Sequence, residues 1–353
     1  MKAMRLVNGT PELRLSLKVL LPALALLGAG GWLAAWKLAA GATETALDEW
    51  FAQENAAGRI WTCGERKLGG FPFRIELHCA RPTFSGLSNK LKVEGSVGDI
   101  LAGAHVFQPG LITATITSPF KASIGPGAAS ITVQWNRMTA AWSASDGALL
   151  LGSLHIEGAA IEGQGFGFAQ ATAVAQSVDV HIRSNSVLAT SCDLVAEAHN
   201  LATPVLDQAL GGQDPTNMSL AVTGTRIDSV LRMSGGRALA RWRRAGGQAE
   251  IKALHVERGE LDLEANGALD IDDAHRLRGH IDVAASGLTD VMARFGIPAA
   301  ALAIGNLLGG LTGKPDQGEA LGKPGATHVV LTLADGRALL GPLRLPFALK
   351  PLY

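Results

Sequence analysis

The stretch Arg59–Pro82, RIWTCGERKLGGFPFRIELHCARP, restricts the fold more than any other part of the chain, because its period, its turn chemistry and its cysteines agree. Phe73, Ile75, Leu77 and Cys79 alternate with Arg74, Glu76 and His78, the period of a half-buried strand; Gly69, Gly70 and Pro72 supply a turn before it. Trp61 and Cys63 share a parity on the opposing arm. With Leu68 set across the turn from Arg74, counting outwards brings Cys63 opposite Cys79. The prediction is a β-hairpin closed by a Cys63–Cys79 disulfide, which requires an oxidising compartment. The third cysteine, Cys192, reads as a small buried hydrophobe, since Ser191 and Asp193 beside it offer no activating base.

The N-terminal residues carry Lys2, Arg5, Arg14 and Lys18 against a single acid, Glu12, and Val19 to Trp36 then runs without a charge. As a helix that run is about 27 Å long, close to the hydrocarbon thickness of a bilayer. The basic side is expected to stay in the cytoplasm. A cleaved signal peptide competes with a retained anchor, because Ala40-Gly41-Ala42 offers small residues at suitable positions and Pro22 shortens the ideal run. The length of the run, with Trp32 and Trp36 at its outer end, favours the anchor. Either reading exports the chain beyond residue 40, as the disulfide demands. Leu47, Trp50, Phe51 and Glu54 then predict a separate amphipathic helix over 43–57, ended by Gly58.

Beyond Pro82 the pattern is strand after strand. Ile112, Ala114 and Ile116 alternate with threonines, and Ile131, Val133 and Trp135 with polar residues, with turns expected at Pro109-Gly110, Gly125-Pro126-Gly127 and Asp146-Gly147. At an offset of 100 residues the chain resembles itself: Trp142 falls on Trp242, Leu154 on Leu254, His155 on His255 and Glu157 on Glu257. In each copy a strand (194–201, 281–288) precedes a helix-like stretch, VLDQAL or DVMARF. The expected fold is therefore mainly β (α+β): a curved antiparallel sheet from two β-rich repeats with a few short helices, preceded by an N-terminal transmembrane helix. Its parts are a basic tail over 1–18, the anchor over 19–37, the amphipathic helix over 43–57, and the hairpin with the first strands over 59–134. The repeats follow over 135–235 and 236–311, the second including an apolar covering helix at Pro298–Leu311. A polar linker over 312–326 leads to a closing hairpin over 327–353 that turns at Asp335-Gly336.

Chemistry is hard to find in this sequence. No HExxH, GxSxG, phosphate-loop or CxxC pattern occurs, and Gly309–Pro315 and Gly163–Gly167 lack the residues or spacing of a nucleotide loop. Each histidine, including the repeated His155 and His255, stands singly near one glutamate, so no metal centre is expected. Asp270, Asp272 and Asp273 read as a hairpin tip. The formal net charge is zero, which argues against a nucleic-acid partner. The one basic run, Arg237–Arg244, reads as a solvated strand face with Trp242 turned inward.

The anchor, the WTC and GGFPFRIELHC segments and the closing LADGRALLGPLRL together resemble a group of alphaproteobacterial envelope proteins of unknown function. That resemblance implies a single-pass inner-membrane protein with its C-terminal domain in the periplasm, and brings no activity, cofactor or catalytic residue. The text LDLEANGALDIDD with LRGHIDVAASGL is similar to AsmA-like envelope proteins, whose curved sheets imply lipid handling. The function expected is non-enzymatic: binding of lipid or another apolar ligand along the sheet, on a candidate face of Ala171, Ala173, Ala175, Ala196 and Ala198 covered by Leu302 and Leu307. A structural or partner-binding envelope protein, its protein partner unknown, is the alternative, because core and groove have the same composition.

Overall fold

The computed structural model describes residues 17–88, 91–125, 129–145, 148–165, 168–185, 187–188, 190–227, 236–287, 326–341 and 343–353. The tail before Leu17, the Asp146-Gly147 turn, DVMARF, the covering segment with Leu302 and Leu307, the Gly309–Pro315 loop and the linker up to residue 325 lie outside them.

The chain opens with α1, Leu17–Ala56, 40 residues in one piece and about 60 Å long. The separate helix expected over 43–57 is thus a continuation of the apolar one. Nothing between Lys37 and Thr43 breaks the backbone ladder. Gly41 alone costs about 1 kcal/mol relative to alanine, and the Thr43 and Thr45 hydroxyls donate back to the carbonyl oxygens of Ala39 and Gly41.

Among the described residues twenty strands form one antiparallel sheet. Its first part comprises β1 (Ile60–Thr62), β2 (Glu65–Gly69), β3 (Arg74–Ala80), β4 (Thr83–Ser88), β5 (Leu91–Ser96), β6 (Ile100–His105), β7 (Gln108–Ile116), β8 (Phe120–Ile124), β9 (Ala129–Gln134) and β10 (Arg137–Ser145). These ten are the halves of five long excursions of the chain, each broken near its middle. β2 pairs with β3 while β1 pairs with β4; β3 pairs with β6 while β4 pairs with β5; β6 pairs with β7 while β5 pairs with β8. The unbroken β11 (Ala148–Gly165) accepts both halves of the last excursion, β10 along its first part and β9 along its second. The result is a plain up-and-down meander with a crease running across it.

The crease follows from the residues that sit on it. Pro82 and Pro119 have no N–H to give a ladder, and their carbonyl oxygens instead accept from Val97 and Gly98, each at 3.1 Å. Trp135 is buried and donates its indole N–H to the Ile116 carbonyl at 2.8 Å. On β11 the crease falls at Gly158, whose φ of 63° suits glycine.

The meander continues through β12 (Phe168–Ser184), β13 (Cys192–Leu201), β14 (Thr216–Gly224), β15 (Ala249–Arg258), β16 (Leu261–Ile271), β17 (Leu277–Ser286), β18 (Thr327–Ala334), β19 (Arg337–Leu340) and β20 (Leu343–Ala348), each pairing with the next. Helix α2 (Pro204–Leu210) follows β13, and α3 (Gly236–Arg244) precedes β15. The sheet is open, mostly antiparallel and consistent with the curved sheet expected.

Three expectations change here. Pro109-Gly110 is not a turn but lies inside β7. Arg237–Arg244 belongs to helix α3, not to a strand: Arg237, Arg241 and Arg244 recur at helical spacing, and Trp242 donates to the Thr225 carbonyl at 2.7 Å. Trp142 lies in β10 and Trp242 in α3, so the tryptophans of the 100-residue repeat are not equivalent. β11, β12 and β13 lead to α2, and β15, β16 and β17 lead out of the described residues.

Directly opposed residues of an antiparallel ladder share a face. One row runs Trp142, Gly152, Ile182, Leu194, Val222, Ile251, Gly267, Ile281, Leu331. Beside it runs Ala140, Leu154, Val180, Ala196, Leu220, Leu254, Ala265, Val283, Val329. The opposite face carries Thr139, His155, Asp179, Glu197, Ser219, His255 and Glu264. The sheet is therefore apolar on one side and polar on the other, and the deeply buried positions are mainly small: Ala265, Ala284, Ala285 and Ala338.

Candidate apolar site and polar face

From Trp32 onwards α1 lies along the apolar face over the first strands. Trp32 donates its indole N–H to the Pro72 carbonyl at 2.9 Å, and Trp36 to that of Arg74 at 2.8 Å. Further along, Arg66 pairs with Asp48 at 2.7 Å with its guanidinium over the Phe51 ring, and Trp50 packs on Trp61. Glu54 accepts two hydrogen bonds from Arg59, both 2.6 Å; these, more than the indole of Trp61, hold its carboxyl below the usual range.

Between helix and sheet, bracketed by these contacts, is a cavity of about 380 Å³. Thr43 and Leu47 of α1 roof it; Leu68, Ile75, Leu77, Ala102, Gly103, Ala104, Pro109, Ile112 and Trp142 line the rest. The space exists because β6 presents ILAGAH, with small side chains at 102–104 where its neighbours carry Leu77, Ile75 and Ile112. Apart from the Thr43 hydroxyl and the indole N–H of Trp142 the lining side chains are apolar, so the site suits a hydrocarbon chain. A second hollow, of about 560 Å³, lies over β4, β5, β8 and β9 and includes Glu94, Lys121 and several serines and threonines. It is a polar surface depression.

The ladder divides the candidate ligand face. Ala196 and Ala198 stand opposite Val180 and Val178 on the apolar side. Ala173 and Ala175 share strand parity with Ser177 and Asp179 and belong to the other side. Alternate alanines show that a strand has a small-residue face, not which way it points. Ala171 precedes these two in β12, and the cover from Leu302 and Leu307 lies outside the described residues. The sequence places Leu47 on a helix and Ile75, Leu77 and Ile112 on strand faces without bringing them together as a site; the small run 102–104 was the available signal.

On the polar face His155 Nδ1 lies 2.6 Å from Asp179 Oδ1 and Nε2 lies 3.3 Å from Glu157 Oε1. The bond with Asp179, then that with Glu157, raises its pKa above the ordinary imidazole value. His255 has a different neighbourhood. Its Nε2 is 3.6 Å from Glu257 Oε1 and 3.5 Å from Asp262 Oδ2, and ligand atoms of all three residues fall within 4.8 Å of one another. Asp262, from the next strand, is the member the sequence did not bring to this histidine. The arrangement offers a cation three donor atoms.

The remaining singled-out groups are structural. Cys63 and Cys79 form the expected disulfide. Cys192 is buried, and burial pushes its thiol pKa up, the opposite of what a nucleophile needs. Asp270 and Asp272 are bound by Arg278 and Arg276, and Asp273 by Arg243. The buried Arg258, not anticipated, donates to Thr216 Oγ1, to the carbonyl oxygens of Gly211 and Gly212, and to Asp207.

Residues 36–346 match the model of a family described as uncharacterized proteins conserved in bacteria, DUF2125. The chain belongs to this family. No curated protein and no solved structure matches it. The matched span begins at Trp36, takes in every strand up to β20, and includes the roofed cavity; most of the apolar run of α1 precedes it.

Proposed function

We propose that this protein is held in the bacterial inner membrane by α1, places its sheet in the periplasm, and binds the acyl chain of a lipid, or a ligand of the same apolar chemistry, along the apolar face. No bond-making chemistry is assigned to it. The observation that carries the reading is the cavity roofed by Thr43 and Leu47. It is apolar, lies on rows of aliphatic residues that continue across the whole sheet, and is built against the same helix that is apolar enough to span a bilayer. A lipid chain at this place loses water from its own surface and from the lining, worth about 25 cal/mol per Å² of apolar area.

The full chain, reconstituted in vesicles containing a phospholipid with a photoreactive acyl chain, tests this. Crosslinks at Leu77, Ala104 or Ile112, lost when Ala104→Trp fills the space, are expected. Crosslinks confined to the apolar run of α1 would sink lipid binding and favour a sheet whose apolar side serves only as core or as a seat for a protein partner.

A further inference from the structure

The two turns nearest α1 are aromatic and exposed: Phe71 and Phe73 between β2 and β3, and Phe107 between β6 and β7, are 50%, 52% and 66% accessible. They gather on the tryptophans of the helix. Trp32 stacks on Phe107 with ring centres 5.7 Å apart and lies 6.4 Å from Phe73, while Trp36 meets Phe71 edge-on at 5.5 Å. Trp32 lies about 7 Å along the helix axis before Lys37, the first charge after the apolar run. The turns that stack on it are therefore level with the last turns of that run, not beyond them. Earlier in α1, Leu21, Leu24, Leu26 and Leu27 are all more than half exposed, as expected of side chains that face lipid.

We infer that these two hairpin tips are inserted in the outer interfacial layer of the same bilayer that holds α1, so that the partner of this surface is the lipid membrane. Aromatic rings are favoured at that depth, apolar in body and tolerant of the wet boundary. The chief objection to burying a turn in lipid is its unpaired backbone, and here the tips meet it internally. The indoles donate to the carbonyl oxygens of Pro72 and Arg74, Arg74 N–H donates to Gly70, and Val106 N–H ties the second tip to Phe73 at 2.9 Å. Arg74, half exposed and paired with Glu76, is placed to extend its guanidinium to the headgroups. The insertion brings the end of the cavity nearest Trp36 to the membrane, a route for a chain to pass from bilayer to sheet. This inference rests on the anchoring proposed above.

The test uses the full chain with Cys192→Ser, in vesicles of phosphatidylcholine and phosphatidylglycerol, carrying one environment-sensitive label at Gln108→Cys, Leu26→Cys or Leu87→Cys. Gln108 adjoins Phe107, Leu26 reports the anchor, and Leu87, exposed on β4 at the far end of the excursion that begins after Phe73, is the control. Brominated acyl chains are expected to quench the labels at 26 and 108, the latter at shallower depth, and to leave 87 bright. Quenching at 26 without quenching at 108 would overturn the insertion while leaving the anchor intact. Absence of quenching at both would overturn the anchor and the insertion together. Crosslinking inside the cavity reports lipid binding separately from either result.

Discussion

Cys63 and Cys79 are joined with Cα atoms 5.4 Å apart although the ladder sets Arg66, not Cys63, opposite Cys79. Cys63 has left the ladder by then: it stands between β1 and β2, where the chain crosses the crease. The bridge therefore fastens the broken first excursion to β3 where the ladder is interrupted, alongside the bond from Gly64 N–H to the Ala80 carbonyl at 2.8 Å.

Removing the bridge is expected to cost about 3 kcal/mol, the loop-closure entropy for a sequence separation of 16 residues. Cys63→Ser, Cys79→Ser and the double variant should lose about the same amount, because each removes the same bond. Denaturant titration with and without reductant checks it; equal midpoints in the two conditions would contradict the bridge.

Arg258 should be among the most sensitive positions outside the hairpin. Its side chain is 2% exposed and joins α2, the Gly211–Gly212 turn and Thr216. Truncation to methionine keeps the stem but leaves two carbonyl oxygens, a hydroxyl and Asp207 without their donor, a loss of about 3 kcal/mol. Asp207→Asn should cost clearly less, because the other acceptors remain and this carboxylate is partly solvated. Calorimetry that ranked the two variants the other way would show that the ion pair, not the hydrogen-bonded cluster, carries the stability.

What could be read from the sequence was local and periodic. The strand that leads to Cys79, the cysteine pairing, the apolar run before Trp36 and the Asp335-Gly336 turn all rest on residues close in the chain, and each is present. The errors came where a distant partner decides. The hairpin register is shifted, Leu68 facing Leu77 and not Arg74, because the turn occupies residues 70–73 and β3 starts only at Arg74. The crease was invisible because Pro82, Gly98 and Pro119 look like ordinary turn residues until it is known that the strands resume beyond them in the same sheet. In the same way, alanines at 173, 175, 196 and 198 read as one face, and only the pairing of β12 with β13 separates them.

The polar face predicts a pH response. Hydrogen bonding to Asp179 and Glu157 raises the His155 pKa in the folded protein, so its contribution is fully present below the unfolded value of about 6.5 and is lost as pH rises through the higher folded value. Stability should thus fall from mildly acidic to mildly alkaline solution. Because the imidazole is partly exposed, the change will be modest. Urea midpoints compared across that window should fall less in His155→Gln and in Asp179→Asn than in the natural chain; identical slopes in all three would assign the dependence elsewhere.

The crease makes a sharper prediction, because glycine is required there for space. A Cβ on Gly98 would collide with the carbonyl oxygen of Thr117, across the junction where β5 passes into β6 and β7 into β8. Neither strand can retreat, since Gly98 N–H is held by Pro119 and Thr117 N–H by Asp99. Gly98→Ala should therefore destabilise by about 1–3 kcal/mol, as overpacking does. Gly110 is the internal comparison: it lies in β7, exposed, and a Cβ added there would have no atom within 4 Å. Gly110→Ala should be neutral or stabilising by about 0.5–1 kcal/mol through the unfolded chain. Equal effects of the two substitutions in thermal denaturation would mean that the strands do not cross at Gly98 as closely as the ladder on both sides requires.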